Sequence, residues 1–263
     1  MPSHTLPRLQ VIDVVSTYEE RGRRLEALDG LNLTVGDAEF VALVGPSGSG
    51  KSTLLDIVSG LIEQDSGQVL LNGVPTSARQ RLGRSAYMQQ RDLLLPWRTT
   101  LGNAAIGLEA AGVTRSAAES KAAQQLRRFG LEGFGDSYPG QLSGGMRQRT
   151  AFLRTILPNK ELLLLDEPFG ALDALTKADL QVWLIELWEQ ERSSVLMVTH
   201  DVEEAVLLAD RVVVLTERPG RLATEIVVSL PRPRTRAMID SREFMAHRHA
   251  LLRALGILEN QSR

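Results

Sequence analysis

One stretch of the sequence decides the fold: Phe40-Val41-Ala42-Leu43-Val44-Gly45-Pro46-Ser47-Gly48-Ser49-Gly50-Lys51-Ser52-Thr53-Leu54-Leu55. The five apolar residues 40–44 predict a strand, and residues 53–59 predict a helix that ends at Gly60. Between them, residues 45–52 match the pattern G-x-x-x-x-G-K-[ST]. This order of strand, loop and helix predicts a phosphate-binding loop rather than a glycine-rich turn that matches by chance.

The residue types of this loop suit a nucleoside triphosphate. Its three glycines allow close approach to phosphates and direct backbone N–H groups and a helix N-terminus toward them. Lys51 is expected to neutralise the β- and γ-phosphates, and the Ser52 hydroxyl is expected to bind Mg²⁺. The predicted nucleotide-binding residues of the loop are Gly45, Pro46, Ser47, Gly48, Ser49, Gly50, Lys51, Ser52 and Thr53.

The composition is ordinary for a soluble protein and favours no nucleic-acid partner. Of the 263 residues 43% are hydrophobic and 24% charged, and the formal net charge is −2. No apolar run approaches the roughly 18 residues needed to cross a bilayer, and the N-terminus lacks the apolar core of a signal peptide. We therefore expect a cytoplasmic chain. Because cysteine is absent and the four histidines are scattered, Mg²⁺ carried by nucleotide is the only metal expected.

The first half of the chain predicts an α/β fold with a helical insertion. Residues 101–129 are rich in Ala, Glu, Gln and Arg and predict helix, with breaks at Gly107 and Gly112. A second, helical subdomain explains this interruption. The predicted strands before it are residues 9–15, 31–35, 65–73 with a turn, and 85–88.

The α/β pattern then resumes with residues 162–166, an unbroken apolar run that predicts a parallel strand buried on both faces. Residues 175–191 predict an amphipathic helix whose Trp183 and Trp188 face the core. Further strands are predicted at 195–199 and 211–215, and a short helix at 202–209.

The C-terminal part of the chain is interpreted as a boundary followed by a tail. Residues 231–236 read Pro-Arg-Pro-Arg-Thr-Arg, and we interpret them as a solvated linker in preference to a contact with anionic lipid. Residues 244–258 predict a terminal helical segment.

Three further residues are candidates for ATP hydrolysis. Asp166 and Glu167 end an apolar strand, so one carboxylate is expected to hold Mg²⁺ and the next to act on the attacking water as general base. His200 closes another predicted strand and is expected to reach the γ-phosphate from the same edge. Taken alone, a strand that ends in Asp-Glu is often only a strand meeting solvent, and a lone histidine at such a place is usually structural.

A second anion-binding helix terminus is predicted at residues 141–149, which read Gln-Leu-Ser-Gly-Gly-Met-Arg-Gln-Arg. Ser143 suits an N-cap, and Gly144 and Gly145 expose backbone N–H groups at the start of a helix. One chain has no obvious use for two such sites on one nucleotide. Two copies paired head to tail do, because the Ser143 loop of each then closes on the γ-phosphate bound by the other's Lys51.

Together these motifs resemble the ATP-binding subunit of an ATP-binding cassette (ABC) importer, over roughly residues 9–230. The resemblance adds an adenine-stacking Tyr18 and a Q-loop glutamine that reaches Mg²⁺, for which the spacing favours Gln90 over Gln89. It also makes Asp173 a nucleotide-site residue, at the end of the D-loop. The remaining motifs are Walker A at 45–52, the signature Ser143-Gly144-Gly145, Walker B with Asp166 and Glu167, and the switch residue His200.

The resemblance implies an α/β P-loop NTPase with a RecA-like core sheet, an antiparallel β subdomain and a helical subdomain at about residues 91–158. Residues 231–263 form a C-terminal helical tail outside it. The implied cofactors are ATP and Mg²⁺. The implied partners are a second copy of the chain, integral-membrane permease subunits and, indirectly, a solute-binding protein, which would put the chain at the cytoplasmic face of the inner membrane.

The closer resemblance is to the nitrate/sulfonate/taurine-type importer ATPases, through residues 91–98, 142–146 and 166–173. That group also includes transporters for thiamine-precursor pyrimidines. The cargo is bound by other subunits, so this chain leaves it open. The segment 93–97, with Trp97, is interpreted either as packing between subdomains or as an apolar groove for a permease helix.

Two other functions compete with import. A soluble ABC ATPase acting on nucleic acid or ribosomes usually has paired cassettes, long coiled-coil insertions or basic arms, and the sequence displays none of these. A non-catalytic assembly cassette is disfavoured because Glu167 and His200 are intact.

Overall fold

The computed structural model describes residues 6–20, 22–170 and 172–258. Arg21, in the charged turn expected at 21–24, Ala171 of the D-loop and the last five residues of the tail lie outside the described residues. In chain order the elements are β1 (Leu9–Glu20), β2 (Arg23–Val35), β3 (Phe40–Val44), α1 (Lys51–Ser59), β4 (Ser66–Leu71), β5 (Val74–Pro75), α2 (Ala78–Arg81), β6 (Ala86–Met88), α3 (Thr100–Ala110), α4 (Arg115–Gln125), α5 (Gly144–Ile156), β7 (Leu162–Asp166), α6 (Ala174–Glu191), β8 (Ser194–Val198), α7 (Val202–Leu208), β9 (Arg211–Leu215), β10 (Leu222–Val227) and α8 (Arg242–Ala254).

A six-stranded sheet in the order β10-β9-β3-β8-β7-β6 forms the centre of the fold. All its neighbouring strands are parallel except the edge strand β10. Every residue of β3, β7 and β8 is buried, because their apolar runs are covered on both faces. The carboxyl ends of these three strands therefore meet at one edge, where the P-loop, Asp166-Glu167 and His200 follow them.

A second, antiparallel sheet in the order β2-β1-β4-β5 covers one face of the centre. Its apolar side chains share a core with helix α1 and with Val41 and Leu43 of β3. Strands β1 and β2 extend beyond the predicted residues 9–15 and 31–35, since cross-strand pairing continues to Tyr18↔Leu25 and past it. The predicted antiparallel β subdomain is thus present.

The helices α5, α6, α7 and α8 pack on the opposite face of the central sheet. Trp188 is buried there against Phe40, with ring centroids 5.9 Å apart, and half-buried Trp183 packs against Phe129 at 4.4 Å. The core role expected for the two tryptophans is confirmed.

The helical insertion contains α3 and α4, followed by α5. The predicted break at Gly112 is confirmed, with a φ of 87° in the turn between α3 and α4. The predicted break at Gly107 is wrong, because α3 continues through it. This glycine instead allows close packing: a Cβ there would lie 2.6 Å from Cγ of Pro158.

The solvated linker predicted at 231–236 agrees with the exposed residues 231, 233, 235 and 236, but it is wrong for Arg234, which is buried. Arg234 is 3% exposed and donates to the backbone carbonyl oxygens of Val206 (3.0 Å), Ala209 (2.5 Å) and Val228 (3.1 Å). These carbonyls include the end of α7, where the helix leaves acceptors without partners. Within this mostly exposed linker, Arg234 and its carbonyl acceptors therefore form a buried clasp.

The tail that follows the clasp is packed on the core. Phe244 and Leu251 of α8 are fully buried in the same cluster as the central sheet. None of the helices among residues 6–20, 22–170 and 172–258 has the length and apolar character needed to cross a membrane.

Candidate nucleotide site

The P-loop connects β3 to α1 and has the backbone that its glycines allow. Gly48 and Gly50 have φ values of 79° and 84°, in the left-handed region that favours glycine. A Cβ on Gly50 would lie 2.6 Å from the carbonyl oxygen of Ala27, so a larger residue would displace the loop. Since α1 begins at Lys51, its first N–H groups are available to an anion beside this loop.

Lys51 is held inside the loop. Its ammonium group donates to the carbonyl oxygens of Gly45 (2.9 Å) and Pro46 (2.7 Å) and to the Ser49 hydroxyl (3.2 Å). Burial lowers the pKa of Lys51, and the carboxylates of Glu167 and Asp166 oppose this shift. The side chain is thus pre-positioned by weak neutral acceptors, which a phosphate can replace with stronger charge-assisted bonds.

Asp166 and Ser52 provide oxygen donors that fit Mg²⁺. Burial raises the pKa of Asp166; the Ser52 hydroxyl lowers it, and the carboxylates of Glu167 and Asp56 raise it further. A divalent cation would offset the cost of burying the negative charge of Asp166, and oxygen ligands such as a carboxylate and a hydroxyl are those that Mg²⁺ prefers. No group of three or more His, Cys, Asp or Glu side chains able to hold a metal occurs in the described part of the chain. The cation would therefore be bound by these protein oxygens together with oxygens of the nucleotide phosphates.

Glu167 is the meeting point of the predicted catalytic residues. Its backbone has a φ of 44°, an uncommon left-handed conformation for a non-glycine residue. The Gln90 amide donates to Oε2 of Glu167 at 3.0 Å, and Nδ1 of His200 lies 3.2 Å from the same oxygen. No donor among the described residues bonds the other oxygen, Oε1.

These residues surround one cavity of about 530 Å³. Two of its lining residues, Ala27 and Arg218, were not predicted from the sequence. The predicted residues that line it are Tyr18, Gly45, Ser47, Gly48, Gly50, Lys51, Ser52, Thr53, Gln90, Glu167 and His200.

Comparison with known proteins decides the family. The family model described as "ABC transporter" matches residues 28–170, more than half of the chain. This chain belongs to the ABC transporter family. It is an ABC ATPase, in agreement with the fold and with the residues that line the cavity.

Three relatives of this ABC ATPase match most of its length. An uncharacterized ABC transporter ATP-binding protein of Methanocaldococcus jannaschii is 45% identical over 94% of this chain and 91% of its own. The formylaminopyrimidine import ATP-binding protein ThiZ of Halalkalibacterium halodurans is 42% identical over 86% of each chain. The taurine import ATP-binding protein TauB of Pseudomonas putida is 40% identical over 78% of each chain.

Two solved structures of one cassette, MJ0796, share the fold. The dimeric structure of this bacterial ABC transporter cassette has a TM-score of 0.76 and 30% identity, covering 85% of this chain and 100% of its own. A dimeric post-hydrolysis state bound to ADP and Pi has a TM-score of 0.75 and 29% identity over the same shares.

The signature of this ABC ATPase lies outside its own cavity. Ser143 is the N-cap of α5 and accepts a hydrogen bond from the Met146 N–H at 3.2 Å, which confirms the predicted cap. Ser143 and Gly144 are exposed, Gly145 is half-buried, and none of the three lines the cavity. Among the residues that the structure describes, the N-terminus of α5 therefore does not line the cavity of its own chain.

Four other predicted site residues also lie outside the cavity lining. Asp173 is exposed and caps α6, accepting from the N–H groups of Leu175 and Thr176 at 3.1 Å each. Asp166 is 5% exposed, behind Ser52. Pro46 and the fully buried Ser49 instead accept hydrogen bonds from Lys51.

Trp97 lies on the surface, with 71% of its area exposed. Leu93, four residues earlier, is 50% exposed, whereas Leu94 is buried. Packing between subdomains therefore does not explain Trp97, and both Trp97 and Leu93 are apolar side chains open to solvent.

Proposed function

We propose that this ABC ATPase is the ATP-hydrolysing subunit of an importer. Two copies would pair head to tail, bind two ATP molecules between them and drive uptake of a small solute through a separate membrane permease. The observation that carries this proposal is the position of Ser143 and Gly144, exposed and outside the cavity that contains Lys51 and Glu167. A partner copy supplies what the single chain lacks, and the dimeric form of the similar cassette supports it.

The phosphate end of ATP is bound by the P-loop in this proposal. Lys51 exchanges the carbonyl oxygens of Gly45 and Pro46 for oxygens of the β- and γ-phosphates. Ser52, Asp166 and Gln90 would hold Mg²⁺, which supplies charge neutralisation at the phosphates. Gly144 and Gly145 of the second copy direct backbone N–H groups at the γ-phosphate, with Ser143 beside them.

Hydrolysis is assigned to the contacts at Glu167. Because Gln90 and His200 both contact Oε2, the carboxylate is fixed in orientation and presents Oε1 to the attacking water. Glu167 then acts as general base at that oxygen. His200 also lines the cavity. In this proposal it contacts both the γ-phosphate and Glu167, so it links the binding of phosphate to the carboxylate.

Import is favoured over other ABC functions by the relatives and by an open surface. ThiZ and TauB, at 42% and 40% identity, are import ATP-binding proteins. The exposed Leu93 and Trp97 offer apolar side chains in the loop after β6, the same loop that contains Gln90, which suits a short permease helix. The chain would then work as a peripheral protein at the cytoplasmic face of the inner membrane. The solute would be nitrate, a sulfonate, taurine or a thiamine-precursor pyrimidine.

Reconstitution tests this proposal. The chain is co-expressed with the permease encoded nearest to its gene, and the complex is placed in liposomes with the matching solute-binding protein. We expect ATP hydrolysis to rise when the binding protein is loaded, and labelled solute to accumulate with ATP. A chain that hydrolyses ATP alone, binds no permease and leaves uptake at background would contradict the importer assignment.

A further inference from the structure

The turn between β9 and β10, residues 216–221, is closed by its own hydrogen bonds. The Thr216 hydroxyl donates to the Pro219 carbonyl and accepts from the Arg221 N–H, both at 3.0 Å. The Gly220 N–H donates to the carbonyl of Ala27 at 2.9 Å, which fixes the turn to β2. The turn is therefore a rigid part of the domain.

This turn also lies directly against the P-loop. A Cβ on Gly220 would lie 2.1 Å from the carbonyl oxygen of Ser49, so only glycine allows this approach. At the start of the P-loop, a Cβ on Gly45 would lie 3.1 Å from the carbonyl oxygen of Leu215, the last residue of β9. The turn thus forms a further wall of the nucleotide cavity.

Arg218 extends from this wall over the mouth of the cavity. Its Nε lies 3.4 Å from the carbonyl oxygen of Gly48, and its guanidinium carbon lies 5.6 Å from the ring centroid of Tyr18. The latter distance is within the range of a cation–π contact. Among the side chains that the structure describes, no carboxylate pairs with Arg218, whereas Arg221 in the same turn pairs with Asp29. The charge of Arg218 is therefore available to a ligand.

We propose that Arg218 is a further nucleotide-binding residue, which contacts the base and ribose of ATP beside Tyr18. This rests on the assignment of the cavity as the ATP site. The phosphates already have the P-loop N–H groups and Lys51, whereas the guanidinium lies between Gly48 of the P-loop and the aromatic ring of Tyr18. A planar cation beside an aromatic ring suits a purine, because it stacks on a base and donates hydrogen bonds in its own plane.

The test compares Arg218→Ala with two other variants and uses two ligands. Binding of Mg·ATP and of Mg·tripolyphosphate, which has no base or ribose, is measured by calorimetry on each preparation. We expect Arg218→Ala to raise the Kd for ATP roughly 3- to 10-fold and to leave the Kd for tripolyphosphate within about twofold. Tyr18→Ala should give the same pattern. Arg221→Ala, in the same turn but paired outside the cavity, should leave both constants at wild-type values.

The two ligands separate Arg218's contact from any structural loss. Partial unfolding or a displaced P-loop would weaken ATP and tripolyphosphate together, so an equal loss for both would overturn the proposal. An ATP Kd within about twofold of wild type in Arg218→Ala would overturn it as well, and so would an equal effect of Arg221→Ala. If instead the wild-type protein failed to bind ATP, the assignment of the cavity itself would be wrong.

Discussion

Nδ1 of His200 lies 3.2 Å from Oε2 of Glu167. The two residues follow neighbouring parallel strands, β8 and β7, so the contact is a direct product of the sheet order. The imidazole is 66% exposed and the carboxylate 21%, which leaves both within reach of a ligand in the cavity. In the proposed mechanism this pair joins the general base, Glu167, to the residue that contacts the γ-phosphate, His200.

The role of Lys51 is tested by Lys51→Ala. We expect the Kd for ATP to rise about 10- to 100-fold, because charge-assisted bonds to the phosphates are lost. Lys121→Ala removes an exposed lysine on α4 and should bind ATP as wild type does. Both variants are measured by calorimetry with Mg·ATP. Wild-type affinity and turnover in Lys51→Ala would remove the P-loop from the nucleotide site.

The exposed Trp97 gives a prediction about assembly. Since most of its side chain is in solvent, Trp97→Ala should change the free energy of unfolding by less than about 0.5 kcal/mol and leave the ATPase of the isolated chain intact. It should reduce co-purification with the permease. The matched control is Val227→Ala, because Val227 is 68% exposed on β10, at the opposite edge of the central sheet. If both variants co-purified with the permease to the same extent, Trp97 would not be part of the surface that binds the permease.

The clasp formed by Arg234 gives a prediction about stability. Burial, followed by the charge of Arg232, lowers the pKa of Arg234 to about 10, so the side chain stays charged at neutral pH. Arg234→Met would leave the carbonyls at the end of α7 without a donor. We expect the free energy of unfolding to fall by about 2–4 kcal/mol, measured by urea denaturation.

Arg253→Met is the control for this clasp, because Arg253 is exposed in the last turn of α8. That variant should stay within about 0.5 kcal/mol of wild type. If Arg234→Met lowered the free energy of unfolding no more than Arg253→Met does, the buried hydrogen bonds of the clasp would contribute little to stability.

The sequence predicts the catalytic edge well because its residues follow short apolar strands. Parallel strands bring their carboxyl ends together, so Lys51, Glu167 and His200 could be placed in one site before any coordinates. The clasp could not be predicted in this way, since Arg234 meets carbonyls that belong to a helix about 25 residues earlier. Pattern and charge predict that 231–236 is solvated, whereas the burial of Arg234 depends on the folded chain bringing it to those carbonyls.

Arg218 was missed for a related reason. Its partners Tyr18 and Gly48 are far away in the chain, and an arginine before Pro219 in a turn has no local signature of binding. Gly220 is the one local signal in this turn, because its backbone packs closely against the P-loop at Ser49. The sequence does not reveal that contact, since the two residues are far apart in the chain. At Gly107, similarly, the sequence indicates a break where the structure uses the missing side chain for helix packing.

The central claim is that two copies close head to tail on ATP and that Glu167 reopens them by hydrolysis. Glu167→Gln keeps the shape of the side chain but removes the general base, which typically contributes about 10²- to 10⁴-fold in rate. ATP should then persist long enough for the closed dimer to accumulate. Ser143→Arg, added to this variant, places a cation at the contact with the other copy, whereas Ser116→Arg changes an exposed serine on α4 as a matched control.

The measurement is size-exclusion chromatography with light scattering, with and without ATP. The account predicts that Glu167→Gln is a monomer without nucleotide and a dimer with ATP, and that adding Ser116→Arg leaves this dimer unchanged. Adding Ser143→Arg should give a monomer that still binds ATP. A dimer of the Glu167→Gln, Ser143→Arg variant in ATP, or a Glu167→Gln variant that binds ATP and stays monomeric, would contradict the head-to-tail mechanism.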